Sequence, residues 1–209
     1  MAKIKICGLS REEDMAAVNE HKPDYVGFVF APSRRRISLE QAAALRAKLE
    51  PCIQTVGVFV NEDAAIIKRT AAICALDVVQ LHGDETEADI QRLSDGTFEI
   101  WKALRIGKEH DVARMNEHSV TRYLLDAYTE GAYGGSGQRI QMEWLKKIPC
   151  AIMQEKVIVA GGLTPQNVAA IIAELQPYAV DVSSGVETDG KKDEAKITAF
   201  CKNVRKRAS

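Results

Sequence analysis

Along the chain, short runs of β-branched and aliphatic residues alternate with longer stretches in which apolar residues recur every three to four positions among charged ones. The short runs predict strands over residues 3–7, 24–30, 54–60, 77–81, 99–104, 122–126, 156–160 and 179–182. Their starts lie 21, 30, 23, 22, 23, 34 and 23 residues apart, each close to one strand plus one crossover helix. Helix starts are marked by Ser10 ahead of Arg11-Glu12-Glu13, Ser38 with Gln41 three on, Asn61 ahead of Glu62-Asp63, and Thr164 followed by Pro165. Residues 40–49 and 63–74 read as one-faced helices that pack on a sheet. Eight βα units in this length predict an α/β fold, a closed (β/α)8 TIM barrel, with residues 1–209 as a single catalytic domain. The other arrangement is an open doubly wound sheet. It would carry G-x-G-x-x-G after the first strand, and neither that turn nor G-x-x-x-x-G-K-[ST] occurs.

The 34-residue interval after strand six holds Gly131, Gly134, Gly135 and Gly137, which predicts a mobile loop there. Lys and Arg number 28 against 29 Asp and Glu, a net charge of −1 that argues against nucleic-acid binding and against a polybasic membrane anchor. With 46% hydrophobic and 27% charged residues the composition is that of an ordinary globular protein. No apolar run approaches the roughly 18 residues of a membrane span, and the strand-like start has no signal-peptide character. A cytoplasmic location follows as the expectation. Cys7, Cys52, Cys74, Cys150 and Cys201 form no C-x-x-C pair and read as free thiols. His21, His82, His110 and His118 show no metal-ligand spacing, so no metal and no cofactor are expected. The basic run 202–207 reads as the end of the last helix.

In a barrel, chemistry gathers at the C-terminal strand ends. The polar residues there are Cys7, Ser33 to Arg36, Asn61, His82, Arg105, Asp126, Gly161-Gly162 and Asp181 to Gly185. Strands seven and eight end in Ala160-Gly161-Gly162-Leu163 and Ser183-Ser184-Gly185, where glycines let backbone N–H groups approach an anion. These turns predict a phosphate site at Gly161, Gly162, Ser183 and Ser184, or else two plain tight turns. Cys7 is either a base or an inert small hydrophobe. Asp126, ending a buried apolar strand, is either an acid or a structural cap, since an unpaired buried carboxylate is costly. The bland readings of the rest are a solvated cluster for Arg34-Arg35-Arg36, a bond to its own loop for His82, and core or surface packing for Trp101 and Trp144. Glu85, Glu87 and Asp89 read as a solvated helix start.

Several segments together resemble phosphoribosylanthranilate isomerase. They are Lys5-Ile6-Cys7-Gly8-Leu9, Gly27-Phe28-Val29-Phe30, Ser33-Arg34-Arg35-Arg36-Ile37, Val56-Gly57-Val58-Phe59-Val60-Asn61, Val79-Gln80-Leu81-His82-Gly83, Leu124-Leu125-Asp126, Gly134-Gly135-Ser136-Gly137, Ala160-Gly161-Gly162-Leu163 and Asp181-Val182-Ser183-Ser184-Gly185-Val186-Glu187. The resemblance runs in order over essentially the whole chain. It implies a (β/α)8 barrel and the Amadori rearrangement of N-(5-phosphoribosyl)anthranilate to 1-(2-carboxyphenylamino)-1-deoxyribulose 5-phosphate in tryptophan biosynthesis. It further implies Cys7 as general base, Asp126 as general acid, Arg35 (with Arg36 as the neighbouring alternative) against the anthranilate carboxylate, and Asp181 toward the ribose or the amine. His82 is grouped with Arg35 and Asp181 as substrate-binding. The phosphate loops fall on Gly161-Gly162 and Ser183-Ser184. The implied partner is a small phosphorylated substrate, with no nucleic acid and no membrane, acting in a monomer or homodimer. One departure stands out: the family reads Phe-Asp-Trp where this chain has Ile140-Gln141-Met142. Two other classes fit the same barrel. A metal-dependent pentose-phosphate epimerase needs several His and carboxylate ligands at strand ends, where only His82 is placed for that. A non-catalytic phosphate-binding barrel has no use for both Cys7 and Asp126.

Overall fold

The computed structural model describes residues 1–127 and 140–206. Eight parallel strands, β1 (Lys3–Cys7), β2 (Tyr25–Val29), β3 (Gln54–Phe59), β4 (Val78–Leu81), β5 (Glu99–Ile106), β6 (Arg122–Ala127), β7 (Val157–Val159) and β8 (Ala179–Val182), close in sequence order into a barrel. Closure runs through β1 and β8, paired from Lys3 with Ala179 to Ile6 with Val182. Each predicted strand is present within a residue or two of its expected bounds. The closed ring removes the doubly wound alternative. The glycine-rich interval called as a mobile loop lies outside the described residues, as do Gln138 and Arg139.

The connections are α1 (Glu12–His21), α2 (Leu39–Arg46), α3 (Ala64–Ile73), α4 (Glu87–Gln91), α5 (Met142–Leu145), α6 (Cys150–Lys156), α7 (Val168–Leu175) and α8 (Glu194–Arg205). Between β5 and β6 the chain makes a 3-10 turn over Glu109–Asn116, so no α-helix forms there among the described residues. A two-residue hairpin, β9 (Glu187–Thr188) with β10 (Lys191–Lys192), stands between β8 and α8. The basic run after Cys201 does end α8, which the described chain follows to Lys206.

Strand periodicity sorts the core into an inner and an outer shell. Tyr25, Val56, Val78, Trp101, Leu124, Ile158 and Ala179 fill the barrel interior as one cluster. Trp101 is completely buried there, edge-on to Tyr25 at 4.9 Å between ring centroids. Intervening residues such as Ile4, Ile6, Val26, Val79, Leu81 and Val180 point outward and pack with helix residues Met15, Val18, Ile67, Ile197 and Phe200. Ile140 is buried against Leu104, Tyr123 and Leu145, so the position that departs from the family pattern still supplies an apolar anchor.

Helix starts follow the strongest local acceptor. Ser38 and Gln41 form the expected reciprocal cap of α2. Ser10 does not cap α1: the Asp14 carboxylate takes the N–H groups of both Ser10 and Arg11, which makes Arg11 the cap residue. Asp63, not Asn61, caps α3, accepting from the Ala65 N–H at 2.8 Å. Asn61 instead sits at φ +50° and accepts from the Asp84 N–H, bridging two loops. Thr164 gives its N–H to the Asn167 side chain, and α7 begins only after Asn167. Glu85 is also not solvated. It is buried, accepts from the N–H groups of Asn61 and Gly83, and pairs with the buried Lys102 at 2.8 Å. Glu87 and Asp89 are surface carboxylates, as expected.

Candidate active site

The cavity at the C-terminal mouth has a volume of about 580 Å³. Its wall contains Cys7, Arg35, His82, Asp126, Gly161, Gly162, Asp181, Ser183 and Ser184, so all nine residues singled out from the sequence meet in one place. They do so because Cys7, His82, Asp126, Asp181 and Ser183 share the interior phase of their strands with the barrel-filling cluster. Arg36 is exposed and absent from the wall, whereas Arg35 lines it.

The wall around Cys7 is built from the seam between β1 and β8. Lys5, two residues before Cys7 on the same face, is fully buried and donates to Asp181 Oδ1 at 3.0 Å. Burial opposes the Lys5 charge, but the Asp181 carboxylate and the neighbouring Cys7 outweigh it and hold the ammonium above the ordinary lysine value. Burial pushes the Cys7 thiol up, against the pull of Lys5 and Lys192 toward the thiolate. Desolvation is the larger effect, so the cations beside Cys7 offset it only in part. Ser183 donates its hydroxyl to the Cys7 carbonyl at 3.0 Å, tying the end of β8 to the end of β1.

Arg35 is held by a carboxylate that strand-end reasoning did not single out. Glu187, in β9, accepts from Arg35 Nε at 2.7 Å and from the terminal guanidinium nitrogen at 2.9 Å. It also takes Arg34 at 2.6 Å and the buried Lys192 at 2.8 Å. Burial alone would raise the Glu187 pKa, yet the bonds from Arg35 and Lys192 bring it down to about 2. The carboxylate stays charged at any working pH. One edge of the Arg35 guanidinium is thus fixed from behind while the residue lines the cavity, which is how a bidentate anion-binding group is pre-oriented.

At the opposite wall, Gln80 and His82 stand two apart on the interior face of β4 and its end. Gln80 Nε2 lies 2.9 Å from His82 Nδ1, and His82 Nε2 lies 3.5 Å from Asp126 Oδ2. Asp126 Oδ1 accepts from the Ala127 N–H at 2.9 Å. The His82 side chain therefore does not bond its own loop, as the bland reading had it; it stands between Gln80 and Asp126. Arg105, at another strand end, pairs with Asp84 at the rim.

At the ends of β7 and β8 the backbone carries the geometry. Gly161 and Gly162 have φ of +79° and +62°, which turns the chain sharply at the cavity wall. Gly185 packs so closely on the Leu163 carbonyl that a Cβ would lie 1.8 Å from that oxygen. The two loops are therefore in backbone contact and form one cradle. Ser183 commits its hydroxyl proton to the Cys7 carbonyl.

Lys5, Gln80, Glu187 and Lys192 are the residues of the site that reading the strand ends passed over. The first two carried a signal: each stands exactly one strand period before a residue already picked out.

The family model for N-(5'phosphoribosyl)anthranilate (PRA) isomerase matches residues 4–203. The chain is 45% identical over 212 residues to the N-(5'-phosphoribosyl)anthranilate isomerase of Acetivibrio thermocellus, covering 98% of this chain and 96% of that one. It superposes on the crystal structure of phosphoribosyl anthranilate isomerase from Thermotoga maritima with a TM-score of 0.85 at 36% identity, covering 98% and 99% of the two chains. A similar structure, at TM-score 0.81 and 35% identity with the same coverage, is a phosphoribosyl anthranilate isomerase in complex with reduced 1-(o-carboxyphenylamino)-1-deoxyribulose 5-phosphate.

Proposed function

The chain belongs to the N-(5'-phosphoribosyl)anthranilate isomerase family and catalyses that family's Amadori rearrangement in tryptophan biosynthesis, and within this activity we propose that Cys7 is the general base and Asp126 the general acid. The observation that carries the assignment is that a thiol from β1 and a carboxyl from β6 line the same cavity, with a candidate phosphate cradle between them around the ring.

The reaction needs one proton delivered and one removed. Asp126 gives its proton to the furanose ring oxygen as the C1′–O4′ bond breaks, and the nitrogen lone pair forms the C1′=N bond of a protonated Schiff base. The Cys7 thiolate then takes the C2′ proton, and the electron pair of that C–H bond neutralises the iminium to give an enolamine, which ketonises. A soft base is adequate because the iminium acidifies C2′–H. In the complex that cation also favours the thiolate over the thiol, offsetting the burial that disfavours it in the free site. Asp181, already committed to Lys5 on one oxygen, presents its other side to the cavity, where it suits the ribose or the amine. The small phosphorylated substrate, the cytoplasmic location and the use of the whole chain 1–209 as one catalytic unit belong to the same reading. No helix among the described residues is long and apolar enough to cross a membrane.

Arg35 takes the anthranilate carboxylate. Arg35→Ala raises KM for phosphoribosylanthranilate by roughly ten- to a hundredfold, the value of a charge-assisted pair, and raises it far less for an aniline analogue lacking the carboxylate. Arg36→Ala leaves both unchanged. Steady-state assays following anthranilate fluorescence check this, and equal losses on the two substrates refute it. The phosphate lies between Gly161-Gly162 and Ser183-Ser184. Crystals soaked in phosphate show anion density there, and Gly185→Ala, which forces the two loops apart, abolishes it. Density at another place in the barrel would end this assignment.

A further inference from the structure

We propose that Gln80 is a positioning residue that fixes the proton of His82 on Nε2, so that the imidazole presents an N–H donor to Asp126 Oδ2. The inference rests on the reading of Asp126 as the acid and extends it to how that acid is served.

The geometry is specific. Gln80 is 1% exposed and His82 8% exposed, both on the cavity wall. The Gln80 amide nitrogen, a donor only, lies 2.9 Å from His82 Nδ1. A donor there requires the lone pair at Nδ1, which leaves the ring proton on Nε2. Nε2 is buried, makes no hydrogen bond among the described residues, and has the Asp126 carboxyl oxygen 3.5 Å away. The gap is too long for a bond in the resting site and short enough to close when a negative charge forms on Oδ2. Asp126 Oδ1 is already held by the Ala127 N–H, so His82 is the group placed to receive charge on the second oxygen.

The proton accounting gives the arrangement its use. When Asp126 releases its proton to the ring oxygen, the carboxylate left behind gains the His82 Nε2–H bond, which favours the release. The opposite tautomer would turn a bare nitrogen toward Asp126. That nitrogen would accept the acid's own proton in a hydrogen bond and hold it back from the substrate. Gln80 thus decides the sign of the His82 contribution without touching the acid. Its other amide atom, Oε1, is also buried without a partner among the described residues, so the contact to His82 is the one hydrogen bond seen for this side chain there.

The test is nitrogen NMR on the free enzyme with labelled histidine, joined to the kinetics of Gln80→Met, which keeps length and removes the donor. In the unmodified enzyme the His82 Nδ1 resonance lies downfield, as for an unprotonated ring nitrogen. In Q80M it moves toward the protonated range, and kcat falls roughly ten- to a hundredfold, the range for a partner that fixes a working imidazole, with KM changed less. Gln80→Glu, an acceptor at the same place, drives the tautomer furthest and lowers kcat at least as much. A protonated Nδ1 in the unmodified enzyme overturns the proposal by itself, even if neither variant folds. An unshifted resonance in folded Q80M, or a shifted one with unchanged kcat, overturns it as well. The tautomer is read without turnover, so failure of Asp126 as the acid, seen as near-normal turnover of Asp126→Asn, remains distinguishable.

Discussion

Cys7→Ser lowers kcat by roughly 10²–10⁴-fold, the contribution of a positioned base, while product affinity stays close to that of the unmodified enzyme. Serine keeps the size and polarity of the side chain on a wall where Gly27 already packs against Sγ, so the cavity is preserved. It removes the thiol, whose ionised form is the proposed base. The sign of the pH dependence follows. A base works deprotonated, so kcat/KM rises with pH through the Cys7 ionisation, and burial places that rise above the ordinary cysteine range in the free enzyme. In Cys7→Ser that rise vanishes. Near-normal turnover of this variant, with chemistry shown to be rate-limiting by single-turnover measurement, would falsify the role of Cys7.

Asp126→Asn has an effect of the same order, roughly 10²–10⁴-fold in kcat. The amide retains the acceptor for the Ala127 N–H and fills the same volume at the end of β6, so folding and substrate binding persist. What disappears is the proton for the ring oxygen, and the first bond to break then lacks an acid. Rapid mixing under single-turnover conditions shows the loss in the ring-opening step. A Cys7→Ser, Asp126→Asn double variant falls less than the product of the two single losses, because a substrate whose ring does not open offers no acidified C2′ proton to remove.

The short β-branched and aliphatic runs made the eight strands legible nearly residue by residue, because a strand buried on both faces carries a continuous apolar run. The strand ends likewise gathered Cys7, His82 and Asp126 at the mouth of the barrel, and all three line its cavity. Helix starts were less legible. Asp14 takes the N–H groups of both Ser10 and Arg11, whereas Asp63 and Asn167 each take one, from Ala65 and Thr164, so side chains that local composition did not favour hold these three turns. The Arg35–Glu187–Lys192 network could not be read by spacing at all, because its partners are up to 157 residues apart and meet only when β9 folds over the mouth. The choice between Arg35 and Arg36 likewise needed the fold, which exposes one and turns the other inward.

The bond from Ser183 to the Cys7 carbonyl and the Lys5–Asp181 pair each join residues 176 positions apart. The proposed base and the candidate phosphate cradle are therefore brought together by the meeting of the first and last strands, so the proposed catalytic arrangement needs the completed ring. Closing so long a loop is an entropically expensive, high-contact-order event. Ligand bridging the same seam then works as a clasp on the chain ends: at a hundred times its Kd it adds about 2.7 kcal/mol to the folded state. Metabolite supply and resistance to unfolding are, in this molecule, two readings of one equilibrium.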